Sequence, residues 1–185
     1  MKVKELINKT STRSLFWNKA IKLVEQGIQE GETPLWAANC DGLIRGGRNL
    51  AISTKPDIMD PYHGPFVITD RRVIFCFAMF SECIFKDIEI KDILKYEKHT
   101  LLGIGKLSIV TVDCILEIAS SKKYVDEMTE KLKELIVERD ISRLNDKLEL
   151  GLISKEEYEL EKELVYKVEH IEDKEEDVVI EEESE

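Results

Sequence analysis

The sequence predicts an α+β protein, an antiparallel barrel or sandwich flanked by helices. Three observations carry that expectation. Between Pro65 and Ala119, short apolar runs rich in Val, Ile and Phe alternate with polar turn residues, the pattern of antiparallel strands. Residues 12–30 and 120–139 instead place apolar side chains at helical spacing. The chain has 185 residues and is 43% hydrophobic, enough for one domain of ordinary size with a real core.

Charge narrows the function classes. The net charge is −11, unevenly spread. Residues 1–31 hold six basic and three acidic groups, 32–139 hold 15 and 17, and 140–185 hold 6 and 18. The folded part is thus nearly neutral and the acid sits at the C-terminal end, without the clustered basic face a nucleic-acid binder needs. No apolar run reaches the length that spans a bilayer, and no signal-peptide core follows the N-terminal Met-Lys-Val-Lys. A cytoplasmic protein is expected. Cys40, Cys76, Cys83 and Cys114 lie in or beside apolar runs without a Cys-x-x-Cys pair, which reads as buried reduced thiols.

Taken in order, the elements are as follows. Trp17, Ile21, Val24 and Ile28 recur at helical spacing within 12–30, with Arg13, Asn18, Lys22 and Glu25 opposite. The basic face is thin for a membrane-surface helix, so docking on its own domain or on a partner is the preferred reading. Glu32–Asp41 reads as a first strand anchored in the core by Trp36. Residues 42–64 form a long irregular segment, with Arg45 to Arg48 as a turn and three prolines between 56 and 65. Loops of this length are uncommon without a role, so this segment is a candidate binding surface; a poorly ordered insertion is equally compatible with its composition. Phe66–Ile68 and Val73–Phe77 form a hairpin across Thr69-Asp70-Arg71-Arg72, where an ion pair with a carboxylate such as Asp70 is favoured over a ligand clamp.

The run from Val73 to Phe80 is apolar on both faces, whereas a strand with one wet face alternates. Its second face needs a cover: a helix of this chain or another copy. Further strands are expected at 82–90, 93–98, 107–112 and 114–119. Gly103-Ile104-Gly105-Lys106 lacks the spacer and the Ser/Thr of a phosphate loop. A helix then runs from Ser120 or Ser121 to about Arg139 on a stripe of Val125, Met128, Leu132, Leu135 and Ile136. From Asp140 a helical hairpin follows: Gly151 ends one helix, and Ser154 with Glu157 forms a capping box that starts the next. So small a hairpin buries little alone and should pack on something. Residues 169–185 contain ten acidic residues and one lysine, a composition that predicts a disordered or frayed tail.

Gly31-Glu32, Leu35-Trp36, VITDRRVIF, IEIKDI at 88–93, LLGIGKLSI at 101–109 and the closing helix resemble a YokE-like bacterial pleckstrin-homology (PH) domain. The Gly-Leu-Ile-Ser-x-Glu-Glu-Tyr run at Gly151–Tyr158 is similar to the SHOCT helical module. The resemblance implies a seven-stranded PH-like barrel, or orthogonal sandwich, capped by a C-terminal helix. It also implies a binding or assembly role and divides the chain at 1–30, 31–139, 140–168 and 169–185.

His63, His99 and His170 are isolated in sequence, and no catalytic or metal-ligand spacing is present. No enzyme activity, cofactor or metal is expected. The leading expectation is a non-catalytic protein-interaction or self-assembly module acting as a homo-oligomer or with a protein partner, not with nucleic acid. The alternatives are weak membrane-surface or lipid-headgroup contact, and a small regulatory or inhibitory protein of a prophage or mobile element. Candidate interaction residues are Trp17 and Ile21 on the first helix, Arg45, Arg48, Ile58 and Tyr62 in the long segment, Ile74 and Cys76 on the two-faced strand, and Leu152 and Tyr158 in the hairpin.

Overall fold

The structure, a computed structural model, describes residues 3–7, 17–46, 62–79, 82–167 and 174–175. Two helices, α1 (Val3–Ile7) and α2 (Trp17–Gly27), come first. The strands follow: β1 (Pro34–Arg45), β2 (Tyr62–Thr69), β3 (Arg72–Met79), β4 (Glu82–Glu89), β5 (Lys95–Leu101), β6 (Ile104–Val110) and β7 (Ile115–Ser121). A 3₁₀ turn at Ile90–Asp92 separates β4 from β5. The long α3 (Lys122–Glu149), then α4 (Lys155–Lys167) and a two-residue β8 (Lys174–Glu175), complete the described chain.

The strands run in the order β4-β3-β2-β1-β7-β6-β5, with every neighbour antiparallel, and β8 adds in parallel to β5. The fold is α+β, seven antiparallel strands with flanking helices, as the sequence predicts. No ladder joins β4 to β5 among the described residues, so the wall is open at that corner. Helix α3 bridges it: the Arg139 guanidinium donates to the carbonyls of Ile90 and Ile93, both at 2.8 Å.

Strand alternation builds two cores. Phe66, Ile68, Val73 and Phe75 point inward to meet Leu107, Ile109, Leu116 and Ile118, and α3 seals them with Val125, Met128, Leu132 and Leu135. This is the helical stripe expected from sequence. Trp36 packs at the edge of this core, its ring edge-on to Phe66 at 6.3 Å. On the other face of the sheet Ala37, Val67, Ile74, Cys76 and Ala78 meet Val3, Ile7, Ala20, Ile21 and Val24. Full burial of a Val or Ile side chain contributes roughly 1.5–3 kcal/mol, so α1 and α2 are held by real packing.

Several boundaries differ from the sequence reading, each for a physical reason. β1 continues past Asp41 because Asp41–Arg45 also pairs with β7, a long-range partner invisible to local pattern. Pro65 lies within β2 opposite Asn39, in the half that pairs with β1 alone; the ladder to β3 spans Phe66–Ile68, so the missing N–H is tolerated. Helix α3 runs through the boundary at 139/140, since no Gly or Pro interrupts residues 122–150. It stops where expected. Gly151 adopts φ +67°, and its N–H and that of Leu152 bond back to the Leu148 and Lys147 carbonyls. Three cysteines are buried as read, but Cys83 is exposed.

Candidate functional site

The Thr69–Arg72 turn does not offer Arg72 to a ligand, while the exposed Arg71 donates to the Gly31 carbonyl at 3.3 Å. Arg72 is buried, with its Nη2 2.8 Å from Glu32 and its Nη1 2.6 Å from Asp87. Nη2 also donates to the Gly27 carbonyl at 2.6 Å, which ties the end of α2 to the barrel. Burial opposes ionisation of Glu32, but the bonds from Arg72, the Gln29 N–H and the Thr69 hydroxyl outweigh it and hold its carboxyl down at about 2. The Arg72 guanidinium is in turn stabilised in its charged form by Glu32. An ion pair forms rather than a ligand clamp, but it is not local: the partners Glu32 and Asp87 lie 40 and 15 residues from Arg72 in sequence. Asp70 instead accepts the Thr33 N–H at 2.9 Å.

This lock places the sequence-predicted residues on three separate parts of the molecule. Ile21, Ile74 and Cys76 are buried in the chain's own second core, so of the covers open to them from sequence the chain's own helices supply it, and these three are not available to a partner. The two-faced strand β3 is roofed by α1 and α2. Burial, with the neighbouring Cys83, pushes the Cys76 thiol up to about 12, so it is an inert core thiol. Trp17 begins α2, but its side chain lies outside the described residues, as do Arg48 and Ile58.

Arg45 and Tyr62 flank the β1–β2 connection. Arg45 pairs with Glu117 at 3.1 Å, and Tyr62 lies against Phe77 at 4.8 Å between ring centroids. In the hairpin, Tyr158 donates to Asn145 at 2.9 Å with Lys162 over its ring, while Leu152 is exposed. The capping box forms as predicted: the Ser154 N–H donates to Glu157 at 2.8 Å, and the Glu157 N–H to the Ser154 hydroxyl at 3.2 Å.

The uncovered apolar surface lies elsewhere. Helix α4 contributes no buried side chain. It leans on α3 through Tyr158 and through Lys147–Glu161 at 3.1 Å, leaving Leu160, Leu164 and Tyr166 exposed, with Leu150 and Leu152 at the turn. Between α3, α4 and β5 lies a cleft of about 330 Å³ walled by Tyr96, Ile136, Val137, Leu144, Leu164 and Val165. Lys133, Asp140 and Glu161 complete its lining.

A second apolar feature is the tip of the β5–β6 hairpin. Leu102 and Gly103 both have positive φ (49° and 80°), as a two-residue type I′ turn requires. Leu102 is 94% exposed, with Leu101 and Ile104 exposed beside it. Sequence reasoning expected the hairpin to pack on something without singling out Leu160 and Leu164 as its face, and read the Leu102 tip only as a connection. The signals were present: Leu160 and Leu164 stand four apart in a charged helix, and a Leu-Gly pair links two strands.

His63 Nδ1 lies 2.7 Å from Asp41 at the surface, and His99 lies 3.8 Å from Glu97. Among the described residues no group of three His, Cys, Asp or Glu side chains could hold a metal ion. No described helix is long and apolar enough to cross a membrane.

No protein-family model and no curated protein matches the sequence. Among solved structures, the chain is similar to the Vps36 N-terminal PH domain, with 13% identity over 59% of this chain and 82% of that one, at a TM-score of 0.40. It is also similar to a DUF1696 family protein with a pleckstrin-homology domain from Shewanella loihica PV-4. That match has 13% identity over 66% of this chain and 99% of the other, at a TM-score of 0.40.

Proposed function

We propose that this protein is a non-catalytic, cytoplasmic interaction module that assembles with a second copy of itself through the α3–α4 hairpin. One observation carries the reading: α4 is a 13-residue helix with no fully buried side chain that exposes Leu160 and Leu164, four residues apart on one face. A helix so short is marginal without packing. A second copy presenting the same stripe supplies that packing through a two-fold interface, the commonest symmetry of soluble assemblies. The roofed face of β3 gives this reading no support, so the docking surface moves from the barrel wall to the hairpin. The finer family reading, a YokE-like barrel bearing a SHOCT-like hairpin, belongs to the same proposal and draws on the Gly151 stop and the Ser154–Glu157 box.

Sedimentation of the full chain over a range of concentrations tests the proposal, beside the variant Leu160→Ser/Leu164→Ser. The wild type should form a defined oligomer and the variant a monomer with the same fold. A monomeric wild type at high concentration contradicts it.

The β5–β6 tip favours a second reading, peripheral contact with a lipid surface. A leucine held 94% exposed at positive φ is a costly choice for a turn that Asn or Gly fits better. Co-sedimentation with anionic vesicles at low salt would be lost in Leu102→Asn; an unchanged bound fraction would sink this reading.

A further inference from the structure

We propose that the outer edge of β5 is a strand-acceptor site for an extended acidic segment, and that the chain's own C-terminal segment occupies it in cis. The inference is independent of the hairpin assembly. It starts from a ladder: Lys174 and Glu175 pair in parallel with His99 and Thr100. Without that ladder β5 would end the sheet, presenting a row of unpaired backbone groups of the kind proteins cover or blunt.

Three further observations fit an acidic occupant. β5 carries Lys95, Lys98 and His99 against a single Glu97, and Lys133 of α3 lines the adjoining cleft with Tyr96. That charge already has partners, Glu97 beside Lys95 and His99 and Asp126 on Lys98 at 3.2 Å, so backbone pairing supplies the direction and charge only a preference. Residues 169–185 hold ten acidic groups and one lysine. The end of α4 adjoins the same edge: Leu164 and Val165 line the same cleft as Tyr96 of β5.

Hydrogen exchange on the full chain tests this, comparing the wild type with Lys174→Pro/Glu175→Pro, which removes backbone donors and leaves the barrel untouched. Exchange at the outward-facing amides of His99–Leu101 should quicken by roughly tenfold or more, while the β6 amides stay as they were. A labelled peptide of residues 168–185 should then bind the proline variant more tightly than the wild type, and bind less as salt rises.

Three results would overturn the proposal. One is unchanged β5 exchange in the variant. Another is equal binding of a scrambled peptide of the same composition, which would mean charge without a strand. The third is β5 protection in the wild type that rises with protein concentration, which would place the occupant in another copy.

Discussion

Both ends of the chain lay helices on the same barrel, and they do so in opposite ways. At the N-terminal end α1 buries Val3 and Ile7 over β1, and α2 buries Ala20, Ile21 and Val24 over β2 and β3, with the Arg72–Glu32 lock clamping the end of α2 in place. At the C-terminal end α4 has no fully buried side chain and leaves Leu160 and Leu164 in water. A strand that is apolar on both faces therefore signals a cover, but not whose cover it is. An exposed stripe on an appended helix is the better mark of an absent partner, because the fold has already met its own needs elsewhere.

The sharpest way to break this contrast is to cut the lock. Arg72→Leu leaves Glu32 buried without its partner, and should cost about 3–5 kcal/mol in a denaturant midpoint measurement. Ile74→Ala removes methyl groups from the roofed face and should cost about 2–4 kcal/mol. If β3 were open to a partner instead, the isolated chain would barely notice that change.

Acid tests the lock without mutation. The folded pKa of Glu32 is depressed, to about 2 from an ordinary 4.5, so its contribution is present above about 4.5. That contribution is lost as pH falls from there through about 2. Arg72→Leu should flatten this part of the stability-against-pH curve. On the other side of the contrast, Leu160→Ser/Leu164→Ser should move monomer stability by no more than about 0.5 kcal/mol per site, because neither side chain is buried. Of similar size but opposite sign, Leu102→Asn should stabilise the chain by up to about 1 kcal/mol, since Asn tolerates the left-handed backbone that Leu102 adopts.

Much of the architecture was legible in short-range pattern. The β2–β3 hairpin, the α3 stripe from Val125 to Ile136, the Gly151 stop and the Ser154–Glu157 box all follow from residues within a few positions of each other. What escaped depends on long-range partners. Arg72 reaches Glu32, 40 residues away, and nothing local marks that pair over the adjacent Asp70. β1 runs on to Arg45 because β7 comes to meet it. Ile21, Ile74 and Cys76 were singled out correctly as apolar and in need of cover, yet periodicity cannot tell a helix of the same chain from a neighbour. Leu160 and Leu164 escaped for the opposite reason: their spacing suits a packed helix, and only the packing shows that α3 does not take them.

Hydroxyl-radical footprinting of the full chain at rising concentration sets the two regions side by side most directly. Leu160 and Leu164 should label heavily when dilute and lose that labelling as the copies associate, while Ile21, Val24 and Ile74 stay protected throughout. Labelling of α4 that ignores concentration, or heavy labelling of the β3 face at any concentration, would contradict the account.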